Sequence, residues 1–356
     1  MAPAFVRPSV RALSGYVPGE QPPIGQRVVK LNTNENPFPP SPKVMEAIRQ
    51  VEPELLRRYP NPMADSFRAA AARVLGIPAE MILCGNGSDD LLTIATRTFV
   101  APGGTLAAPE PTYSLYPVLA ALEEARFVPV PWTRDYDLPI NGLLAARAEA
   151  IFIVNPNAPT GTFVSPARIA ELAEQFRGLI LVDEAYVDFA DENCALLVNA
   201  FENLVVTRSL SKSYSLAGLR FGYAIAQPHV IAEMAKVKDS YNCDAISTLA
   251  ATAAIEDQEY ARRTWEHVKS ERLRVSEELA AMGWGVIPSR ANFILASVPG
   301  GRARDAWLRL KEQGILVRYF DQPGLRDKLR ITIGTIQENN ALLGAVKSLQ
   351  LVERAA

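Results

Sequence analysis

From residue 81 onward, short uniformly apolar runs alternate with polar turns and amphipathic stretches of helical period. The runs lie near 81–84, 105–108, 126–130, 150–154, 179–182, 203–207 and 220–226, and read as buried strands. A helix over 90–98 follows the first. Between two later runs, Ser165-Pro166 has the form of a helix N-cap followed by proline at the first helical position. Ile169, Leu172, Ala173 and Phe176 share one face of that helix, and Gly178 marks its stop. Apolar strands separated by helices predict an α/β fold whose mostly parallel sheet is covered on both faces. The run at 220–226 follows its predecessor closely and is expected to pair antiparallel.

Outside this block the pattern differs. Residues 1–29 are rich in proline and glycine, lack periodicity and read as an extended arm. Leu31-Asn32-Thr33-Asn34-Glu35-Asn36-Pro37 continues it with a high density of side-chain amides. Ser41-Pro42 opens a helix with Val44, Ala47 and Ile48 on one face; a second helix over 63–75 ends at Gly76 and Pro78. After Pro228 a long amphipathic helix is expected over 259–282, with Trp265, Val268, Val275, Leu279 and Met282 as its apolar stripe. Strands near 284–287, 292–296, 315–319 and 329–333, with helices at 303–312 and 337–350, complete a smaller α+β lobe. The implied organisation is an arm (1–29) packing with the small domain, a large domain (30–255) and a small C-terminal domain (256–356).

The 356 residues suffice for two such domains. A hydrophobic share of 48%, a charged share of 21% and a net charge of −2 fit an ordinary globular protein without the footprint of a nucleic-acid or anionic-membrane partner. Cys84, Cys194 and Cys243 have no metal-ligand spacing, and with only two histidines a metal site is not expected. Neither a signal peptide nor a membrane-spanning run is evident, so a reducing cytoplasmic setting is the expectation. Without a histidine catalyst, difficult chemistry would come from a cofactor.

Four polar motifs fall at the carboxyl ends of expected strands, where ligands bind in α/β domains. Gly85-Asn86-Gly87-Ser88-Asp89 joins a strand to a helix N-terminus, a natural phosphate cradle. Asn155-Pro156-Asn157-Ala158-Pro159-Thr160-Gly161 forms a rigid turn. Asp183-Glu184-Ala185-Tyr186 places a carboxylate straight after apolar residues, where it needs a cationic partner. Ser209-Leu210-Ser211-Lys212 sets a lysine among hydroxyls with Arg220 nearby; a desolvated amine there is available for a Schiff base. Tyr113 adds an aromatic face. Each motif alone also has a plain structural use, as turn, cap, ion pair or surface loop. Together they suit pyridoxal 5′-phosphate, which needs an amine for its carbonyl, a carboxylate for its ring nitrogen, and a phosphate site.

In this order, and with Leu31–Pro37 and Leu329-Arg330-Ile331-Thr332-Ile333-Gly334 added, the motifs resemble the histidinol-phosphate aminotransferases, a fold-type I family dependent on pyridoxal 5′-phosphate. The resemblance runs from Tyr16 to the final helix. It implies that Lys212 holds the cofactor and shuttles a proton, that Asp183 keeps the pyridine nitrogen protonated, and that Tyr186 and an asparagine of the 155–161 turn bond the ring hydroxyl. Relatives carry Asn-Asn before Pro-Thr-Gly; the second position is Ala158 here, which leaves Asn157 for that role. Tyr113 would stack on the ring, while Ser88, Asp89, Ser209, Ser211 and Arg220 would surround the phosphate. Tyr59 would reach the cofactor of a second subunit, implying a homodimer. Arg330 would grip the anionic end of the substrate, with Tyr16 and Arg318 alongside.

The resemblance implies transamination of L-histidinol phosphate with 2-oxoglutarate. An aromatic amino acid aminotransferase shares every cofactor residue, but the stretch Leu13-Ser14-Gly15-Tyr16-Val17-Pro18-Gly19-Glu20 is similar to the histidinol-phosphate enzymes. A threonine-phosphate decarboxylase of the same fold, and a non-catalytic module that keeps the fold without turnover, are compatible with the same cofactor residues. A nucleotide-binding dehydrogenase lacks support, as no second glycine-rich loop or ribose-binding acid is in place.

Overall fold

The computed structural model describes residues 3, 5–16, 18–23 and 25–355, with side chains through 349; Val17 of the arm motif lies outside them. Seven strands form the large sheet in the spatial order Ile82–Gly85, Gly222–Ile225, Leu204–Ser209, Leu179–Asp183, Ala150–Val154, Thr105–Glu110 and Arg126–Pro131. Every pairing is parallel except the two made by Gly222–Ile225, which runs antiparallel to both neighbours as its short connection requires.

Side-chain period explains why these strands read as unbroken apolar runs. Ile151 and Ile153 point to one face with Ile180 and Val182, while Ala150, Phe152 and Val154 point to the other with Leu179 and Leu181. The first face is covered by helices Asp65–Leu75, Ile140–Ala145, Pro166–Gln175 and Ala245–Glu256, the second by Ser88–Phe99, Tyr116–Leu122 and Pro228–Val237.

A third apolar cluster lies against a four-stranded antiparallel sheet, in the order Arg318–Tyr319, Lys328–Thr332, Phe293–Ser297 and Gly285–Ile287. Helix Gln258–Ala281 supplies Val268, Val275 and Leu279 to it, and Leu31 and Phe189 join from earlier in the chain. Trp265 and Met282 pack at its margin, only partly buried.

Several expectations need correction. Residues 315–319 are not one strand. Ile315–Leu316 pairs in parallel with Val29–Lys30, whereas Arg318–Tyr319 pairs with Lys328–Thr332. Ser165 makes no side-chain cap bond; Ser41 does, accepting from the Lys43 N–H at 3.1 Å. Helices at 116–122, 140–145, 228–237 and 245–256 are present where the apolar pattern predicts none. The last carries Ala and Ile around much of its circumference and lies between other helices, which erases the polar stripe that marks a surface helix.

One buried ion pair fixes the edge from which the site is built. Glu184, just past Leu179–Asp183, accepts from Arg208 Nε at 2.9 Å and lies 2.8 Å from Nη2, tying two neighbouring strands at their carboxyl ends. Both residues are buried, and Glu184 Oε1 also accepts from the Cys194 N–H. Replacing Arg208 by Met would leave a buried carboxylate unpaired. A stability loss of about 3–5 kcal/mol is expected in urea unfolding, and a loss below about 1 kcal/mol would show that the pair is not needed.

Candidate active site

The carboxyl ends of the parallel strands, the segment 31–36 and the small sheet together enclose a cavity of ≈ 500 Å³. Of the residues expected in the site, all line it except Asn157 and Tyr59.

Lys212 sits in the loop between strands Leu204–Ser209 and Gly222–Ile225, where Leu210 N–H bonds Phe221 O at 3.0 Å and pins the base of the loop. Its Nζ donates to Thr33 O at 3.0 Å. Burial pushes the amine down to about 8; the Arg330 and Arg220 guanidinium groups push the same way, and Glu35 and Asp89 oppose them. Near neutral pH a useful fraction is therefore the nucleophilic free amine.

Asp183 ends its strand opposite Thr207 in the neighbouring one. Its carboxylate accepts from Thr207 Oγ1, Tyr116 Oη and the Ala185 N–H, each at 3.3 Å. The cationic side-chain partner expected for it is not present among the described residues. Burial, reinforced by Asp89, raises it to about 7, and the three long hydrogen bonds only partly offset this.

At the other motif, Gly87 caps helix Ser88–Phe99 with φ of +87°, and a Cβ there would meet Arg220 Nη2 at 2.6 Å. The backbone conformation calls for glycine, and a side chain there would also displace the Arg220 guanidinium. Arg220 Nη1 donates to Ser211 Oγ at 3.2 Å and Nη2 to Asp89 Oδ2 at 3.3 Å, while Ser209 Oγ accepts from the Ser211 N–H. Hydroxyls, a guanidinium and a helix N-terminus thus meet at one end of the cavity, with the composition of an oxyanion cradle. Asp89 also accepts from Tyr113 Oη at 3.2 Å, and the Tyr113 ring meets the edges of Tyr16 and Tyr116.

Arg330 and Arg318 are directly paired across adjacent strands. The Arg330 guanidinium stacks 5.2 Å from the centroid of Phe293 and 5.4 Å from that of Phe320, and Arg318 lies 5.5 Å from Phe320. Arg330 Nη2 donates to Asn32 O, but among the described residues its buried Nε has no partner.

Two expected residues stand elsewhere. Asn157 Nδ2 is committed to Pro111 O at 3.1 Å and Thr160 Oγ1 at 2.8 Å, away from the cavity, whereas Ala158 lines it. Tyr59 is 81% exposed and stacks on Tyr241 with centroids 4.5 Å apart. Conversely, Tyr116, Thr207, Phe320 and Asn34 contact site residues although the motifs do not point to them individually. Tyr116 follows Tyr113 by three residues, a spacing that could have raised it, and Asn34 lies in the amide-rich stretch 31–37; Thr207 and Phe320 have no local signal.

Similarity to known proteins extends over nearly the whole chain. The family model described as aminotransferase class I and II matches residues 26–346. Histidinol-phosphate aminotransferase 1 of Trichormus variabilis is 45% identical over 345 residues, covering 97% of this chain and 99% of that protein. The histidinol-phosphate aminotransferase of Rhodopirellula baltica is 48% identical over 339 residues, 95% of this chain and 93% of its own. Among solved structures, the Sinorhizobium meliloti histidinol-phosphate aminotransferase in complex with pyridoxal-5′-phosphate superposes with a TM-score of 0.89 at 27% identity, covering 98% of this chain and 99% of that one.

The raised pKa of Asp183 makes stability pH-dependent. Its folded value lies above the unfolded one of about 4, so its contribution is fully present below that pH and is lost as pH rises through about 7. In the ligand-free protein Asp183→Asn is therefore expected to be more stable than the wild type at about pH 8, by up to roughly a few kcal/mol, and the gap should close as pH falls from about 7 to about 4. Urea unfolding across this range checks it; a gap independent of pH would refute the assignment.

Proposed function

Because the chain belongs to the class I and II aminotransferases, we propose that it transfers an amino group from L-histidinol phosphate to 2-oxoglutarate, with pyridoxal 5′-phosphate as cofactor. The products would be imidazole acetol phosphate and glutamate, a step of histidine biosynthesis. The observation that carries this reading is a single cavity holding a buried amine depressed to about 8 and a buried carboxyl raised to about 7. The names of the full-length relatives support the substrate.

The residues present fit the cofactor. A buried carboxyl without a cationic partner suits a protonated ring nitrogen, and the cradle of Ser88, Ser209, Ser211 and Arg220 suits a phosphate. When bound, pyridoxal 5′-phosphate supplies a conjugated ring able to take up the electron pair left at the substrate α-carbon. Lys212 Nζ would be the amine for the cofactor carbonyl, and as a free amine it would carry a proton to and from that α-carbon. Asp183 would hold a proton on the ring nitrogen, and Tyr186 would offer its hydroxyl to the ring oxygen. Asp89, itself an anion, acts by holding Arg220 and Tyr113 rather than by touching the phosphate. Arg330, with Arg318 and Tyr16, receives the anionic end of the donor, and the two phenyl faces let a guanidinium lie there without a carboxylate partner.

We read the protein as a cytoplasmic homodimer in which the exposed Tyr59 reaches the phosphate of the neighbouring subunit's cofactor. Among the described residues no helix is long and apolar enough to cross a membrane. The same reading keeps residues 1–29 as an arm, 30–255 as the cofactor-binding domain and 256–356 as the smaller domain.

Purified protein should be yellow and reducible by borohydride. Lys212→Ala should lose both properties, with turnover down by about 10⁴-fold; a coloured, active variant would refute the role of Lys212. Arg330→Lys keeps the charge but loses the planar fork, so kcat/KM for histidinol phosphate should drop about 10–100-fold. A panel with 2-oxoglutarate as acceptor decides the donor: a higher kcat/KM for phenylalanine, or carbon dioxide release without an acceptor, would overturn the proposed reaction.

A further inference from the structure

The amide-rich stretch 31–36 is the sequence motif for which the proposed reaction provides no use. In the structure it is a junction. Leu31 accepts from the Thr332 N–H, Asn32 Nδ2 donates to Glu20 O, Thr33 O accepts from Lys212, and Asn36 Nδ2 donates to Ser213 O. At its centre Asn34 is 1% exposed and has a left-handed backbone, φ +57°, which asparagine tolerates better than most residues.

Asn34 is clasped on several sides. Its backbone N–H donates to Thr332 Oγ1 at 3.0 Å, Thr332 Oγ1 donates to Asn34 Oδ1 at 3.1 Å, and Asn292 Nδ2 donates to Asn34 O at 2.9 Å. With Oδ1 taken by Thr332, the amide nitrogen faces the other way and donates to Tyr186 Oη at 3.1 Å. A phenol has one proton. If its oxygen accepts from Asn34, that proton is free for a group in the cavity, and accepting a bond makes it a better donor. The 155–161 turn offers no competing amide, because Ala158 has none, Asn157 Nδ2 is spent on Pro111 O and Thr160 Oγ1, and Asn155 is bonded through both side-chain atoms to the Val164 backbone.

We propose that Asn34 is a positioning residue that orients the Tyr186 hydroxyl toward the cofactor's ring oxygen, at a site where the 155–161 turn presents Ala158 to the cavity and no amide. The proposal rests on the functional reading above for the identity of the ring oxygen. The Asn34–Tyr186 bond itself does not, so the two can fail separately.

The experiment has two arms. Glycine at position 34 removes the amide without straining the left-handed backbone, and Thr332→Val unclasps the amide while leaving it in place. In the cofactor-free protein labelled with ¹³C at the tyrosine ring carbon bearing oxygen, the Tyr186 resonance is identified by its absence in Tyr186→Phe. Asn34→Gly should move it; an unmoved resonance overturns the bond, whatever the protein catalyses.

In the holoenzyme, the pH midpoint of the visible absorption change reports how strongly the ring oxygen is held in its ionised form. The titratable and charged groups facing Tyr186 are Arg330, Asp183, Tyr16 and Tyr113, and all are kept. Asn34→Gly is expected to raise the midpoint by about half a unit, Thr332→Val by less and Tyr186→Phe by more. In the Tyr186→Phe background, Asn34→Gly should add nothing further. An equal shift in both backgrounds, or a lowered midpoint in Asn34→Gly, overturns the proposal; the second result would mean that the amide accepts the phenolic proton instead of freeing it.

Discussion

Desolvation of Lys212 is the constraint on which the site depends. In water the amine would be protonated and inert as a nucleophile; taken into the cavity it falls to about 8, donating a hydrogen bond to the Thr33 carbonyl. The same dryness raises Asp183 to about 7. Two groups of opposite formal charge are thus both held away from their preferred states, and they do not relieve each other by forming an ion pair. Such an arrangement is costly to a folded chain. It persists because the apolar clusters on both faces of the large sheet, and the buried Arg208–Glu184 pair at the strand ends, leave these side chains nowhere else to go.

Backbone geometry around the cavity shows the same tension. Asn34, Ser215 and Arg220 all have positive φ although none is glycine. Two flank the Lys212 loop and one faces Tyr186. Arg220 is drawn toward Ser211 and Asp89, while Asn34 is clasped by Thr332 and Asn292. Residues 31–36 therefore join the arm, the large sheet and the small sheet at the point where Thr33 O holds the Lys212 amine. Movement of the small sheet would be felt at Lys212 and Tyr186 through hydrogen bonds rather than through loose packing.

The amino-acid sequence is most informative where chemistry is local. Apolar period marks the strands, a short connection marks the antiparallel pairing of 222–225, and the motifs at strand ends bring Lys212, Asp183, Arg220 and Ser88 to one cavity. It is least informative at 245–256, where a helix buried between helices has no polar stripe to betray its period, and at 315–319, where one short run serves two sheets.

What the chain determined by itself is the inventory: a buried strand that ends in a carboxylate, a lysine among hydroxyls, a glycine where φ must be positive. These follow from residue type and spacing, because burial period and backbone sterics act over a few residues. What only the tertiary structure decided is partnership. That Asn34 bonds Tyr186, that Tyr116 reaches Asp183, and that Phe320 lies against two guanidinium groups all depend on side chains far apart in sequence. No local preference encodes such meetings. They are fixed when the two sheets and the segment between them pack, and packing is a property of the whole chain.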